Sequence, residues 1–207
     1  MSSSVFTPKP TPATGRLNYD AESGVILDDQ RERVIWVPED LVQSIHAVIR
    51  RRMPDVAAQT LYRFGRLWGE RFFSQIVSRL SVPVADVSPR QFFSKCDDLW
   101  GESGWGHFEV VELGAATLVN LYNSPVALSL GESKEPVDDL FAGMFAGLFS
   151  KRRGATVESV EISCLAAGAP YCRFVVGDEA IIRKVYAWVA YGTTTDDIVR
   201  RLSRSGE

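Results

Sequence analysis

The 207-residue chain is poor in the side chains that most readily carry chemistry. It has two histidines, His46 and His107, and three cysteines. An odd cysteine count without small-scaffold spacing excludes a disulfide framework and suits a reducing compartment. Excess positive charge is also missing. The formal net charge is −3, which argues against a general nucleic-acid binder. No run of about 18 apolar residues occurs, and the N-terminus lacks a charged-then-apolar export pattern. A soluble, cytoplasmic protein with no transmembrane segment is therefore expected. Ser-His-Asp order, His-Glu-x-x-His, the dinucleotide glycine fingerprint and the Gly-x-x-x-x-Gly-Lys-Ser/Thr loop are all absent. Each absence removes a familiar catalytic class, and a reductase in particular would need a hydride or electron source that is not readable here.

What is present is enough apolar material for a sizeable core, at 45% hydrophobic residues and 24% charged. Residues 1–16 are rich in Ser, Thr and Pro and read as a disordered arm. Residues 17–177 read as one domain, and residues 178–207 as a helical extension. Leu17 to Val37 contains short extended pieces around Asp28-Asp29-Gln30, a hairpin or strand pair. Pro38-Glu39-Asp40 opens a helix with Leu41, Ile45, Val48 and Ile49 on one face. A second helix starts at Pro54-Asp55 and runs to about Leu80, with Leu61, Phe64, Leu67, Trp68, Phe72, Ile76 and Leu80 at helical spacing. Ser88-Pro89 caps a third, through Leu99. Glu109 to Leu113 and Thr117 to Tyr122 read as antiparallel strands joined near Gly114. Asp138 to Ser150 is a nearly all-apolar helix, and Lys151-Arg152-Arg153 suits its negative end. Glu179 to Tyr191 forms a further helix, and Thr195-Asp196-Asp197 caps a last one to Arg204. No internal repeat is present.

Aromatic residues are the chain's main resource for binding. Trp68, Phe72, Trp105, Phe108, Phe141 and Phe145 are candidate contacts for a flat apolar ligand; a Phe-rich core accounts for the same pattern. His107 follows two glycines and Trp105, which puts it either at a cavity mouth or in an exposed loop. His46, between Ile45 and Ala47, reads as a surface or core residue. Two helices carry glycine at four-residue spacing, Gly65/Gly69 and Gly143/Gly147, which permits close backbone approach. The expectation is a homodimer burying one of these helices, Tyr62 to Phe73 or Phe141 to Phe149.

The densest chemistry lies in Glu161-Ile-Ser-Cys164-Leu-Ala-Ala-Gly168-Ala-Pro170-Tyr-Cys172-Arg-Phe174. Thr156 to Cys164 and Cys172 to Val176 read as two strands folded back through a Gly-Pro turn, so the two thiols face each other at its base. Strict alternation puts Glu161 and Cys164 on opposite faces, so a bulge or strand end is needed to bring all three groups together. Two thiols and one carboxylate could hold zinc, with a fourth ligand from elsewhere. Equally, both thiols could be small buried hydrophobes.

This motif, together with Phe141-Ala-Gly143-Met-Phe-Ala-Gly147 and Tyr62-Arg-Phe-Gly65-Arg-Leu-Trp-Gly69, resembles the 4-vinyl reductase domain family over roughly residues 33–176. The resemblance implies a mixed α/β (α+β) fold: an antiparallel sheet packed with helices, as in nitric-oxide-signalling and Golgi-transport proteins. A homodimer with a hydrophobic pocket is implied too. Family members include phenol-responsive regulators and proteins linked to bacteriochlorophyll synthesis, and this chain is similar in layout to the latter, free-standing kind. Zinc-binding sensors of the family use a Cys before the glycine helix, then Glu-x-x-Cys and Cys. Glu161, Cys164 and Cys172 match three of these positions. At the first, this chain has Val137-Asp138-Asp139, so Asp138 is either a carboxylate ligand or the N-terminal cap of its helix.

Two functions follow as expectations. One is a non-catalytic binding protein for a tetrapyrrole or similar planar molecule, with a partner in pigment synthesis or photosystem assembly. The other is a dimeric interaction subunit with a vestigial pocket. The family name alone does not make the chain a reductase.

Overall fold

Strict two-residue alternation of buried side chains builds the central sheet. A computed structural model of the protein describes residues 17–28, 30–35 and 37–204; the expected N-terminal arm and part of the Asp28-Asp29-Gln30 turn lie outside these. The chain divides into two units, residues 1–37 and 38–207. In the first, β1 (Asn18–Asp20), β2 (Val25–Leu27) and β3 (Arg33–Val34) form an antiparallel meander. Asp20 closes its first turn by accepting from the backbone N–H groups of Glu22 and Ser23.

The second unit has β4 (His107–Leu113), β5 (Ala116–Tyr122), β6 (Glu158–Ser163) and β7 (Cys172–Gly177) in the order β4-β5-β7-β6, all antiparallel. Val119, Leu121, Cys172, Phe174 and Val176 face one core, while Ala116, Leu118, Val160, Ile162 and Val175 face another. Both faces of the sheet are therefore covered, which is why β5 is buried almost throughout. The first core is closed by α2 (Ala57–Ser78), α3 (Pro89–Glu102) and α5 (Asp139–Arg153). The second is closed by α6 (Glu179–Ala190) and α7 (Thr195–Arg204). This is the mixed α+β architecture that the sequence implies.

Two expectations about helix faces need correction. α1 (Glu39–Arg52) buries Val42 and His46, whereas Leu41, Ile45 and Val48 are exposed. Its apolar stripe thus points away from its own core. In α2, Leu61, Phe72 and Ile76 are buried, but Phe64 and Leu67 are about two-thirds exposed, at 65% and 63%. The second correction concerns the glycine faces, which pair with each other inside the chain. A Cβ on Gly143 would stand 1.9 Å from the Tyr62 carbonyl oxygen, and one on Gly65 would stand 1.9 Å from that of Leu140. α5 is consequently buried from Leu140 to Phe149 by its own chain and offers no face to a second copy. A helix apolar all round has to be wrapped in this way.

Helix ends follow local rules. Ser88 and Gln91 form a reciprocal capping box at α3, with Pro89 at the first helical position. Residues 54–56 make a 3-10 turn rather than the start of α2. A short helix not expected from sequence, α4 (Pro125–Leu130), begins at Ser124, whose side chain accepts from the Ala127 N–H.

Candidate metal centre and aromatic cluster

The strand pair β6–β7 sets the thiol cluster. Glu161 pairs with Phe174, but Ser163 pairs with Arg173, so one residue bulges out of register between them. That bulge reverses the face on which the chain leaves β6 and lets Glu161 and Cys164 converge. A 3-10 turn at Leu165–Ala167 and Gly168 in left-handed conformation then return the chain to Cys172. One ligand atom each from Glu161, Cys164 and Cys172 lies within 4.8 Å of the other two, and all three residues are buried. The two sulfurs are 3.9 Å apart. Backbone N–H groups point at them: Leu165 donates to Cys172 Sγ at 3.4 Å, and Val137 and Ala166 donate to Cys164.

Asp138 takes the cap role. Its Oδ1 accepts from the Phe141 N–H at 3.2 Å, and its Oδ2 accepts from Ser124 Oγ at 2.7 Å. Its backbone N–H donates to Glu161 Oε2 at 2.9 Å. Asp138 thus joins the cluster as the group that holds Glu161, while its side chain is committed to the start of α5. Glu161 Oε1 is buried with no hydrogen-bond partner.

The electrostatics follow from four acids sharing one buried volume. Burial, then the negative charges of Asp138 and Cys164, push the Glu161 carboxyl far above the carboxylate range. Burial also raises Asp138, against its Ser124 and Phe141 hydrogen bonds. The Cys172 thiol donates to Cys164, which lowers Cys164 well below an ordinary thiol and raises Cys172. Left alone, such a group holds protons to limit its charge. A cation would neutralise it and satisfy the orphaned Oε1, so the three residues could hold a metal ion.

The candidate ligand-binding aromatics also come together. Trp68 stacks on Trp100 at 5.3 Å and meets Trp105 at 4.9 Å and Phe141 at 6.0 Å. Phe72 packs edge-on to Trp100, Phe108 to Phe145, and Trp105 to Phe141. Trp68, Trp105 and His107 are half-buried, whereas Phe72, Phe108, Phe141 and Phe145 are buried. The cluster therefore runs from a partly exposed lip into the core. His107 Nδ1 lies 3.4 Å from Asp97 Oδ1, the oxygen that also accepts from the Phe108 N–H at 2.7 Å. His46 sits elsewhere, buried in α1 with both ring nitrogens unpaired.

Two important residues escape a sequence reading. Trp100, the hub of the aromatic cluster, is fully buried and donates its indole N–H to the Trp105 carbonyl at 2.8 Å. Only its helical spacing signals it. Ser124 links α4 to Asp138; Ser124-Pro125 carries the same cap signal as Ser88-Pro89, but its helix is too short to show periodicity.

Comparison with known proteins agrees with this geometry. Residues 117–178, from β5 to the cap of α6, match the model of the vinyl-4-reductase domain, and the chain carries a domain of this family. A curated relative, the bacteriochlorophyll synthase 23 kDa chain of Cereibacter sphaeroides, is 28% identical over 145 residues, covering 67% of this chain and 69% of the relative. The phenol-responsive sensory domain of the transcription activator PoxR, solved with phenol, superimposes with a TM-score of 0.63 at 18% identity, covering 78% of this chain and 84% of that one. The trafficking protein particle complex subunit 3 of Naegleria fowleri, covalently bound to palmitic acid, gives a TM-score of 0.52 at 14% identity, with coverage of 67% and 93%. At such identities the two structures establish a shared fold. Among the described residues, no helix is long and apolar enough to cross a membrane.

Proposed function

We propose that this protein is a non-catalytic binding protein for a hydrophobic planar molecule, a tetrapyrrole or related pigment intermediate, acting in photosynthetic pigment synthesis or assembly. The observation that carries the reading is the aromatic cluster, graded from the half-buried Trp68 and Trp105 into Trp100, Phe141 and Phe145. A flat apolar ligand is recognised by stacking on such rings, each worth about 0.5–1.5 kcal/mol beyond buried area. The named relative belongs to bacteriochlorophyll synthesis, which supplies the ligand class. Because every ring already touches another ring, ligand entry parts Trp68 from Trp105.

Glu161, Cys164 and Cys172 hold zinc in this reading. Tetrahedral zinc with sulfur at about 2.3 Å sets a sulfur–sulfur edge of about 3.8 Å, and the thiols stand 3.9 Å apart. When bound, the ion supplies a structural cross-link and no reaction step. Asp138 orients Glu161 through its backbone N–H, and the N–H groups of Val137, Leu165 and Ala166 stabilise the thiolates. The chain pairs as a homodimer through the outward faces of α1 and α2, where Leu41, Ile45, Val48, Phe64 and Leu67 are exposed.

A thermal-melt panel tests the ligand. A ligand at a hundred times its Kd adds about 2.7 kcal/mol, so protoporphyrin or a chlorophyllide should raise the Tm while nucleotides leave it unchanged. The same exposed faces favour the alternative, a dimeric interaction subunit whose rings merely fill the core. An unmoved melt across the whole panel would select that alternative.

A further inference from the structure

The pairing of β6 and β7 places the two thiols on one rung. Ser163 is opposite Arg173, so the next antiparallel rung sets Cys164 opposite Cys172. Residues opposite each other across such a pair have Cα atoms about 4.5–5.5 Å apart, inside the range of about 4.4–6.8 Å that a disulfide bridges. The sulfurs already lie 3.9 Å apart, with only the turn between them in sequence. Both thiols are free and buried, yet they sit directly under exposed loop residues, Ala167, Gly168 and Pro170. Cys96, the third thiol, is buried in α3 among the aromatic rings. It lies on none of the strands that carry the pair.

We infer that Cys164 and Cys172 form an oxidation site, closing to a cross-strand disulfide under hydrogen peroxide and thereby dismantling the three-donor metal centre. The inference rests on the metal reading only for that last consequence. The Cys164 thiolate attacks one peroxide oxygen, the O–O bond breaks, and Cys164 becomes a sulfenic acid as hydroxide leaves. Cys172 sulfur then attacks the sulfenic sulfur, and the S–O bond breaks as water departs. The two sulfurs together give up two electrons, and the peroxide is reduced to two waters once the thiol protons are counted. A disulfide sulfur is no longer an anionic ligand, so Glu161 alone remains of the three and a bound metal is released.

The test treats full-length protein, as purified without chelator, with stoichiometric hydrogen peroxide. Three readouts run in parallel: free thiols after denaturation, peptide mapping, and released zinc by a chelating dye. The expected result is loss of two of the three thiols, a mapped 164–172 disulfide, one zinc released per disulfide formed, and reversal by dithiothreitol. A Cys96→Ser variant should behave identically. A disulfide that forms in protein containing no metal keeps the oxidation site and removes the zinc reading. Retention of all thiols, a bond involving Cys96, or direct conversion of one cysteine to its sulfinic acid overturns the inference. These readouts come from wild-type chain, so a poorly folding cysteine variant does not blunt them.

Discussion

Gly143→Ala asks whether the glycine faces of α2 and α5 exist for each other. By intrinsic propensity alone, alanine in a helix interior should stabilise by about 1 kcal/mol. The packing predicts the opposite sign. The new Cβ would lie 1.9 Å from the Tyr62 carbonyl oxygen, 2.7 Å from its carbon and 3.0 Å from the Arg66 nitrogen. All three atoms are backbone, so no rotamer change relieves them. The helices would have to part by about 1.5 Å, and a gap of 0.5–1 Å already forfeits about a quarter to a half of each contact it opens. Overpacking of this kind costs about 1–3 kcal/mol. At the upper end, with the propensity gain subtracted, the net loss is about 2 kcal/mol. In a chain of this size that lowers the Tm by about 4–8 °C. Urea unfolding followed by circular dichroism measures it as a lower midpoint at unchanged slope. A midpoint equal to or above wild type would refute the close packing of these two helices.

Three further outcomes are expected. His46→Leu should raise stability at neutral pH by about 1–3 kcal/mol, because the imidazole nitrogens are buried without partners. Burial, then the Arg50 charge, lowers the His46 pKa to about 4, so wild type should lose stability as pH falls from 6.5 toward 4. That loss is at most about 1.4 kcal/mol per pH unit, and an identical pH slope in the variant would remove this account. Purified protein should carry about one zinc per chain and the Cys164→Ser variant none; metal analysis finding none in wild type would leave two buried structural thiols. Ile45→Glu with Phe64→Glu should give a monomer by light scattering at micromolar concentration where wild type is a dimer, and wild type that is itself monomeric would rule out pairing through this face.

The strands and most helices were legible because local rules dominate them. Ser88-Pro89, Asp138 and Thr195 act close to where their types predict, and the β6–β7 hairpin follows from Val/Ile alternation around Gly168-Ala-Pro170. The need for a bulge between Glu161 and Cys164 was also readable, since the period of two allows no other convergence. What could not be read was which partner each face meets. The stripe Leu41, Ile45 and Val48 looks like a core face by periodicity, yet the chain buries Val42 and His46 instead. Periodicity reports that a face is apolar, not whether its own chain covers it. The four-residue glycine spacing likewise signals close approach without naming the second helix. Asp138 suited a ligand or a cap equally well until Ser124, 14 residues earlier, was seen to hold its second oxygen.

The most direct test of the ligand reading is an absorption titration of a chlorophyllide with wild-type protein and with a Trp68→Ala, Trp105→Ala double variant. Stacking within the cluster predicts a saturable shift of the pigment bands with wild type, at one pigment per chain. Loss of two ring contacts of about 0.5–1.5 kcal/mol each should weaken the variant by about tenfold or more. Unshifted bands with wild type, or an equal titration with the double variant, would contradict pigment binding at this cluster.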